Sequence, residues 1–386
     1  MNFLKPSLIA IAICMMNAQA NTASANSPFS SPAALLPFEK EIAEIPANTY
    51  TFETQNTPVG PRTKMTRIVK TSSFYAHFPA NAADLKGVIY FFHGGGGDNE
   101  TWLSKNIEAS SLVSDAVLEG YGVVIPESLD RQTRGWYWSD SWFHMASTAL
   151  SQYDDENLIR SINKNLIEHG RYMPSTPVYL VGASNGCRMA QAMGSRLLVE
   201  GDTPITDDVT FYLGERADSP LGPIGRPVNV KAVAAYICKP DEDMLPGYVT
   251  PTIFNHGATD ANNPPQEVEA YRAAVEANQQ AVGINNGTAR NMTERSALRI
   301  DQLTRVPGMS YAYARMLYRD MNDSGLLSPL GVAPAGTQYI ASLRTQGEID
   351  MQLYLELVGQ IERANGAHSV DSQWHNETLT FFEYWQ

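Results

Sequence analysis

The sequence predicts an α/β protein with a mostly parallel sheet and helices on both of its faces. Short apolar runs typical of buried strands, at residues 86–92 and 177–181, alternate with segments of helical periodicity at residues 102–119 and 156–169. Strands that alternate with helices pair in parallel, because each connection crosses one face of the sheet. The predicted strands also run directly into loops rich in glycine and in reactive side chains, which is where open α/β sheets bind their ligands. We therefore expect a functional site at the carboxyl ends of the strands.

The length and composition of the chain exclude several classes of protein. With 386 residues, of which 43% are hydrophobic, the chain is long enough to bury a large core, in one elaborated domain or in two. The net charge of -13 and the lack of a basic cluster argue against a nucleic-acid partner, since binding a phosphate backbone needs cations. After residue 20 no stretch is long and apolar enough to span a bilayer, so no integral membrane segment is expected.

The N-terminal residues 1–20 have the organisation of a secretory signal peptide. Lys5 precedes an apolar run at residues 8–16, and Ala-Gln-Ala at residues 18–20 has the small-x-small form of a signal-peptidase site. Residues 21–45 begin with many Ser, Ala, Asn and Pro residues, so we expect a flexible leader there. A secreted or periplasmic location follows from this interpretation.

Two cysteines remain after the predicted cleavage, Cys187 and Cys238. An even pair in an exported protein favours a disulfide. Cys187 lies at the start of a predicted helix and Cys238 follows a predicted strand at residues 230–237, so neighbouring strands would place the two close together. Two buried free thiols are the alternative.

The clearest reactive feature is a strand that passes without a linker into a helix at residues 178–189. The corner reads Gly182-Ala183-Ser184-Asn185-Gly186, a G-x-S-x-G pattern. In this pattern a strained turn exposes the serine hydroxyl, and the two glycines let the strand and the helix pass close together. Ser184 is therefore a candidate nucleophile, and the backbone amide of Asn185 a candidate oxyanion donor. An ordinary strand-turn-helix rich in small residues is the alternative.

A run of four glycines follows the predicted strand at residues 86–92 and His93. Such a run is kept for a backbone shape that side chains would obstruct, and it can offer bare N–H groups to a ligand. Gly94, Gly95 and Gly96 are therefore candidates for the second oxyanion donor, and His93 is expected to brace the loop. A flexible loop without a ligand is the alternative, and a phosphate-binding loop is disfavoured because neither common glycine-rich phosphate motif is met.

An aromatic run at residues 136–143 follows the predicted strand at residues 121–125. Loops at the carboxyl ends of strands bind ligands in open α/β folds, so we expect the run to form a substrate wall. The side chains concerned are those of Trp136, Trp138 and Trp142. The alternative is a satellite hydrophobic cluster that packs the loop down.

Candidates for an acid and a base follow two later strands. A predicted strand at residues 251–255 leads into His256-Gly257-Ala258-Thr259-Asp260, and strict alternation at residues 351–357 predicts a last strand before His368. Asp260 is the favoured acid over Asp241 and Asp243, and His368 is the favoured base over His375, which lies in a predicted closing helix. His256 is expected to brace its loop.

The organisation of the chain follows from these positions. Helical patterns at residues 266–282 and 295–321 form a connection too long for a simple loop, so residues 261–336 are predicted to be a helical insertion or cap before the last strand. Residues 46–260 and 337–386 would then be the two parts of the core.

The order of these residues along the chain is Ser184, Asp260 and His368, each at the end of a predicted strand. The α/β-hydrolase fold uses this order, with the nucleophile elbow downstream of the glycine loop. In that scheme His368 takes the proton of Ser184, and Asp260 orients the imidazole and stabilises its cation.

The motifs resemble those of the polyhydroxybutyrate depolymerase and feruloyl esterase-like group of α/β hydrolases. The similar features are the His-Gly start of the loop at His93, the elbow at residues 182–186, the His-Gly-x-x-Asp motif at residues 256–260, and Gly-x-His at residues 366–368. The resemblance implies a secreted carboxylic ester hydrolase that needs no metal or other cofactor and acts on a small or polymeric ester.

Three alternatives to an esterase remain open. The aromatic run also resembles the corresponding loop of oxidised polyvinyl alcohol hydrolases, which implies cleavage of a β-diketone by the same three residues. Cleavage of an amide by these residues is a further alternative. A non-catalytic binding module that keeps the fold is the alternative of another class.

Overall fold

The computed structural model describes residues 36–57, 60–129, 138, 154–195, 230–239 and 245–386. The predicted signal peptide, most of the predicted leader, Trp136, Trp142, Asp241 and Asp243 lie outside these residues. Within the described ranges no helix combines the length and the apolar character needed to cross a membrane.

The described residues form one eight-stranded sheet in the order β1-β2-β4-β3-β5-β6-β7-β8. The first two strands pair antiparallel with each other and β2 pairs antiparallel with β4, whereas all later pairings are parallel. The strands are β1 Glu39–Thr57, β2 Gly60–His77, β3 Val88–Phe92, β4 Gly122–Pro126, β5 Val178–Ala183, β6 Val230–Tyr236, β7 Thr252–Gly257 and β8 Thr288–Thr293. This confirms the predicted α/β class with a mostly parallel sheet.

Helices cover both faces of the sheet. They are α1 Ile107–Leu118, α2 Asp154–Glu168, α3 Asn185–Ser195, α4 Pro265–Ala281, α5 Ile300–Thr304, α6 Tyr311–Asp323, α7 Gly336–Thr345, α8 Met351–Ala364 and α9 His375–Tyr384. A π-helical turn at Thr101–Lys105 precedes α1, and short 3-10 turns lie at Ala82–Asp84 and Ser372–Trp374.

The central strands are apolar along their whole length because both of their faces are covered. Ile89 and Phe91 of β3 point into a cluster formed with α1 and α9, whereas Val88 and Tyr90 point into a cluster formed with α2 and α3. Successive side chains of a strand point to opposite faces. The unbroken apolar run of β3 therefore fits a central strand. The glycine loop that follows β3 accordingly lies near the middle of the carboxyl edge of the sheet.

The prediction of a last strand at residues 351–357 is wrong, because these residues belong to α8. Asp350 caps the helix by accepting a hydrogen bond from the Leu353 amide at 2.8 Å. The helix buries Leu357, Ile361 and Ala364, which lie four and three residues apart, whereas Met351 is 52% exposed. The alternation at residues 351–357 therefore coincides with part of a helical face.

The last strand is β8, which lies inside residues 261–336, the range predicted as the insertion. Its sequence Thr-Ala-Arg-Asn-Met-Thr is polar and only partly buried, which fits the outer strand of the sheet. The helical segment therefore follows the last strand instead of preceding it, and it separates β8 from His368.

The helical segment at residues 298–364 has an apolar core of its own, to which the four helices α5 to α8 contribute. That core contains Leu298, Leu303, Val306, Met309, Ala314, Leu317, Met321, Ala333, Ile340, Leu343, Ile349, Leu357, Ile361 and Ala364. Because this core is distinct from the clusters on the sheet, the segment is a local helical unit inserted in the chain between the outer strand and the base loop.

Buried carboxyl groups join this helical segment to α1. Glu108 is 1% exposed and pairs with Arg305 at 3.1 Å and with Arg363 at 3.6 Å. Glu356 of α8 is 4% exposed and accepts a hydrogen bond from the Ile107 amide at 3.1 Å. The amide belongs to the first residue of α1, where backbone donors have no partner within the helix.

The predicted leader at residues 21–45 overlaps β1, which begins at Glu39. Backbone pairing with β2 orders this part of the chain, with Glu39 opposite Ala76 and Ile42 opposite Ser73. Ile42 is 71% exposed, so the strand forms without burying this apolar side chain.

Candidate active site

Ser184 lies at the corner between β5 and α3, in the left-handed region with φ +51°. This backbone conformation is strained for a residue with a side chain. A Cβ atom on Gly182 would overlap the carbonyl of Gly186, and one on Gly186 would overlap the carbonyl of Phe92. The two glycines of the G-x-S-x-G pattern are therefore required by the close approach of β3, β5 and α3.

The side chains of Ser184, His368 and Asp260 meet at the carboxyl edge of the sheet. His368 Nε2 lies 3.1 Å from Ser184 Oγ, and His368 Nδ1 lies 2.8 Å from Asp260 Oδ2. A carboxylate only accepts hydrogen bonds, so Nδ1 carries the proton and Nε2 presents its lone pair to the serine hydroxyl. The imidazole is thus oriented to take a proton from Ser184.

Asp260 is held as a buried carboxylate. The residue is 2% exposed, and its Oδ1 accepts hydrogen bonds from the amides of Asn262 at 2.9 Å and Asn263 at 3.1 Å. Burial acts to raise the pKa of Asp260, but the hydrogen bond from His368 and those from the two amides outweigh it, so the pKa lies below its ordinary value. The group is therefore ionised at neutral pH.

The loop that carries His368 packs directly on the end of β7. A Cβ atom on Gly257 would overlap the carbonyl oxygens of Gly366 and Ala367, so only glycine fits there. The Thr259 amide donates to the carbonyl of Gly366 at 2.7 Å. The glycine of the His-Gly-x-x-Asp motif therefore sets the distance between the acid and the base.

The predicted oxyanion donors lie beside the serine. A Cβ atom on Gly94 would lie 3.3 Å from the carbonyl oxygen of Ala183 and 3.5 Å from Ser184 Cβ, so the loop backbone contacts the elbow. Asn185 is the first residue of α3, where backbone amides have no acceptor within the helix. Gly96 has φ +73°, and the Gly97 amide donates to the carbonyl of Gly94, which closes the turn.

Trp138 is buried against the glycine loop and supports it from behind. Its side chain is 4% exposed, and its Nε1 donates to the carbonyl of His93 at 2.8 Å. Its amide donates to Asn185 Oδ1 at 2.7 Å, and its ring meets Phe92 edge to face with centroids 5.2 Å apart. These contacts favour the alternative of a packed hydrophobic cluster for Trp138, while the predictions for Trp136 and Trp142 concern residues outside those described.

His93 braces the same loop. Its Nε2 accepts from the Ser128 amide at 3.3 Å, and its Nδ1 lies 2.9 Å from the carbonyl oxygen of Gly94. The proton therefore lies on Nδ1, and the ring stays neutral while it ties the loop to the end of β4. His256 is likewise buried, and burial lowers its pKa.

His375, the rival base, pairs elsewhere. Its Nδ1 lies 2.9 Å from Asp115 Oδ2 of α1, and the residue is 2% exposed. This contact anchors α9 to α1, and the imidazole of His368 occupies the place beside Ser184.

The predicted disulfide joins Cys187 to Cys238 with their Cα atoms 6.4 Å apart. Both residues are buried, and the bridge connects the first turn of α3 to the residues that follow β6. The nucleophile helix is thereby fastened to the neighbouring strand.

Asn263 is a site residue that sequence reasoning missed. Its backbone amide donates to Asp260, and its side chain donates to the backbone that follows β6. Its Nδ2 also lies 3.5 Å from His368 Nδ1. The available signal was its position three residues after the acid and directly before Pro264, where the backbone is restricted.

The sheet order, the elbow after β5 and the chain order Ser, Asp, His together define an α/β-hydrolase fold. No family model and no curated protein sequence matches the chain. Solved structures to which the chain is similar include a thermostable esterase, 12% identical, with a TM-score of 0.39 over 64% of this chain and 56% of the other. This chain therefore spans little more than half the length of that esterase.

Two further solved structures are similar at the same level. An esterase from Pyrococcus furiosus is 11% identical, with a TM-score of 0.34 over 63% of this chain and 82% of the other. A lipase/esterase from Lactobacillus plantarum is 11% identical, with a TM-score of 0.36 over 72% of this chain and 100% of the other. The narrower resemblance to the polyhydroxybutyrate depolymerase group stays a prediction.

Proposed function

We propose that the protein is a serine hydrolase that cleaves carboxylic esters through an acyl-enzyme on Ser184. The observation that carries the proposal is the imidazole of His368, which contacts Ser184 Oγ at 3.1 Å and the buried carboxylate of Asp260 at 2.8 Å. A nucleophile, its base and the group that orients the base thus lie within hydrogen-bond reach of one another, as nucleophilic catalysis requires.

In the first half-reaction Ser184 Oγ attacks the ester carbonyl and its proton passes to His368 Nε2. The imidazolium forms beside a carboxylate that is already ionised, so Asp260 stabilises the cation without taking its proton. The tetrahedral intermediate collapses when His368 returns the proton to the leaving alcohol. The acyl group then remains on Ser184.

The second half-reaction repeats these steps with water. His368 takes a proton from the water as it attacks the acyl carbonyl, and the proton is returned to Ser184 Oγ when the acid leaves. The same imidazole acts as base and then as acid in each half-reaction. The chemistry therefore needs only the three side chains and oxyanion donors.

The amide of Asn185 and one of the amides of Gly94, Gly95 and Gly96 are proposed as the oxyanion donors. Asn185 starts α3, whose dipole favours negative charge at its N-terminus, and Gly94 contacts the elbow. His93 and Trp138 bind the same loop from behind, so the donors are held in place before the substrate arrives.

An ester bond is proposed on the motif resemblance, with a β-diketone or an amide as the alternative bond. Export is proposed on the signal-like residues 1–20. The disulfide between Cys187 and Cys238 supports an oxidising compartment, since such bonds persist there.

The test compares the wild type with Ser184→Ala on p-nitrophenyl acetate and butyrate. We expect kcat to fall by about 10³-fold or more, because a variant without the nucleophile keeps only binding and the oxyanion donors. Ser175→Ala is the matched control, since Ser175 lies exposed in a turn, and it should keep the wild-type rate. Undiminished hydrolysis by folded Ser184→Ala would refute the proposal. A panel with a β-diketone and an amide identifies the bond.

A further inference from the structure

We propose that Asn263 is a positioning residue, which holds the acid and the base of the site in register with the nucleophile elbow. The inference rests on the proposed function and extends it to a side chain whose hydrogen-bond partners do not include Ser184. Asn263 lies between β7 and α4, three residues after Asp260.

The side chain of Asn263 binds the backbone that follows β6. Its Nδ2 donates to the carbonyl of Ile237 at 2.9 Å, and its Oδ1 accepts from the amide of Lys239 at 3.1 Å. One partner accepts and the other donates, so these two bonds fix which end of the amide is which. The turn that carries the acid is therefore fastened to the end of β6.

The same residue contacts both members of the acid–base pair. The Asn263 amide donates to Asp260 Oδ1 at 3.1 Å, and Asn263 Nδ2 lies 3.5 Å from His368 Nδ1. Both nitrogen atoms carry protons, so the second contact is one of packing and not a hydrogen bond. Loss of the side chain therefore removes a neighbour of the imidazole as well as the tie to β6.

The backbone around these bonds is constrained on both sides. Pro264 follows Asn263 and restricts it to extended conformations, and Pro265 opens α4. On the other side Ile237 has φ +48°, which is unfavourable for a β-branched residue, so the surrounding contacts have to hold it. Two such contacts are the Asn263 bond and the bridge at the next residue, Cys238.

A closed path of bonds thus connects the nucleophile to the acid. The path runs from the elbow through the Cys187–Cys238 bridge to Lys239, whose amide donates to the Asn263 side chain. The backbone amide of Asn263 then binds Asp260. Asp260 contacts His368, and His368 contacts Ser184. Asn263 is the link between the β6 side and the β7 side of this path. Removing its side chain should let the acid and base move relative to the serine.

The first experiment measures kcat and KM of Asn263→Ala on p-nitrophenyl acetate, with melting by circular dichroism. We expect kcat to fall by about 10- to 100-fold with KM within twofold, since small displacements of catalytic groups act on the rate of the chemical step. Gln266→Ala is the control, because it removes an exposed amide three residues away and should leave both constants unchanged.

The second variant, Asn263→Asp, has the same shape and places a carboxyl group near His368 Nδ1. The carboxyl groups of Asp260 and Glu362 already interact with this imidazole. An added negative charge favours the imidazolium form of His368. The acidic limb of the pH profile of kcat/KM should therefore shift to higher pH by about one unit. A residue whose side chain lies away from the imidazole would lower activity without moving this limb.

The outcomes are separable. A loss in kcat for Asn263→Ala together with an upward shift of the limb for Asn263→Asp supports the proposal. Wild-type kcat for Asn263→Ala, or an unmoved limb for Asn263→Asp, overturns it while the proposed function stands. A wild type that neither hydrolyses esters nor reacts with a fluorophosphonate at Ser184 overturns the proposed function, and this inference with it.

Discussion

His368 Nδ1 lies 2.8 Å from Asp260 Oδ2, although 108 residues separate the two in the chain. The whole helical segment at residues 298–364 is inserted between them, yet the acid and base meet because Gly257 lets the acid loop touch the carbonyl oxygens of Gly366 and Ala367 in the base loop. The long separation therefore does not disturb the pair. The insertion changes what surrounds the site and leaves the order of its groups intact.

Replacing Asp260 with Asn should lower kcat on p-nitrophenyl acetate by about 10³- to 10⁴-fold, because an amide cannot stabilise the imidazolium and favours the wrong tautomer. Asp84→Asn is the control, since Asp84 is exposed in a short turn that is distant from Asp260 in the chain. This variant should keep the wild-type kcat. Full activity in Asp260→Asn would assign the acid to another residue, such as Asp241 or Asp243.

Gly257→Ala should reduce kcat by about 10-fold or more, because the new methyl group would push away the carbonyls of Gly366 and Ala367 and with them His368. Gly359→Ala is the matched control. Gly359 lies within α8, and a Cβ atom there would make only an ordinary contact, with Ser369 Oγ at 4.0 Å, so alanine should raise the melting temperature slightly through its better helix propensity. Equal activity of both variants would show that the Gly257 contact does not position the base.

Removing the disulfide in Cys187→Ala/Cys238→Ala should lower the free energy of unfolding by about 2–4 kcal/mol, as expected for a bridge that closes a loop of this size. The bridge spans 51 residues of sequence. Denaturant unfolding with and without dithiothreitol is the measurement. The reductant should destabilise the wild type and leave the double variant unchanged, and an equal response of the two proteins would contradict the assignment.

Glu356 should make stability depend on pH. Burial raises the pKa of Glu356 to about 8. The nearby Glu108 carboxylate also raises the pKa, whereas the hydrogen bond from the Ile107 amide lowers it. The pKa of Glu356 is higher in the folded state than in the unfolded state. The contribution of Glu356 to the free energy of unfolding is therefore fully present below about pH 4.5 and is lost as the pH rises through about 8.

The variant Glu356→Gln keeps an acceptor for the Ile107 amide and cannot ionise. Relative to wild type, its free energy of unfolding should rise with pH, by roughly 1–3 kcal/mol between pH 5 and pH 9. Parallel stability curves over this range would show that Glu356 titrates normally. Glu377→Gln, on the first turn of α9, serves as a control for the loss of one charge.

Each motif of the predicted site has a local physical cause that can be recognised in the sequence. Gly182 and Gly186 are needed by the elbow, and Gly257 by the base loop, so these glycines mark their positions without any knowledge of the rest of the fold. The candidate side chains follow strand ends or loops, and parallel strands place those ends at one edge.

Other features depend on contacts that are distant in the chain. The strand β8 is polar because it lies at the outside of the sheet. The apolar pattern of residues 351–357 fits both a strand and a helix, and only the later positions Ile361 and Ala364 distinguish the helix. A run of aromatic residues does not indicate which side of its loop each ring faces, so the sequence cannot distinguish a substrate wall from packing at Trp138. The role of Asn263 depends on partners after β6, Ile237 and Lys239, which lie 26 and 24 residues earlier in the chain.

The most direct test of the central claim is the reaction of the protein with a fluorophosphonate, followed by peptide mass spectrometry. Three proteins are compared: the wild type, His368→Ala and His375→Ala. We predict stoichiometric labelling of the wild type at Ser184, loss of labelling in His368→Ala, and retained labelling in His375→Ala, whose imidazole pairs with Asp115. An unlabelled wild type, or equal labelling of Ser184 in His368→Ala, would contradict the account.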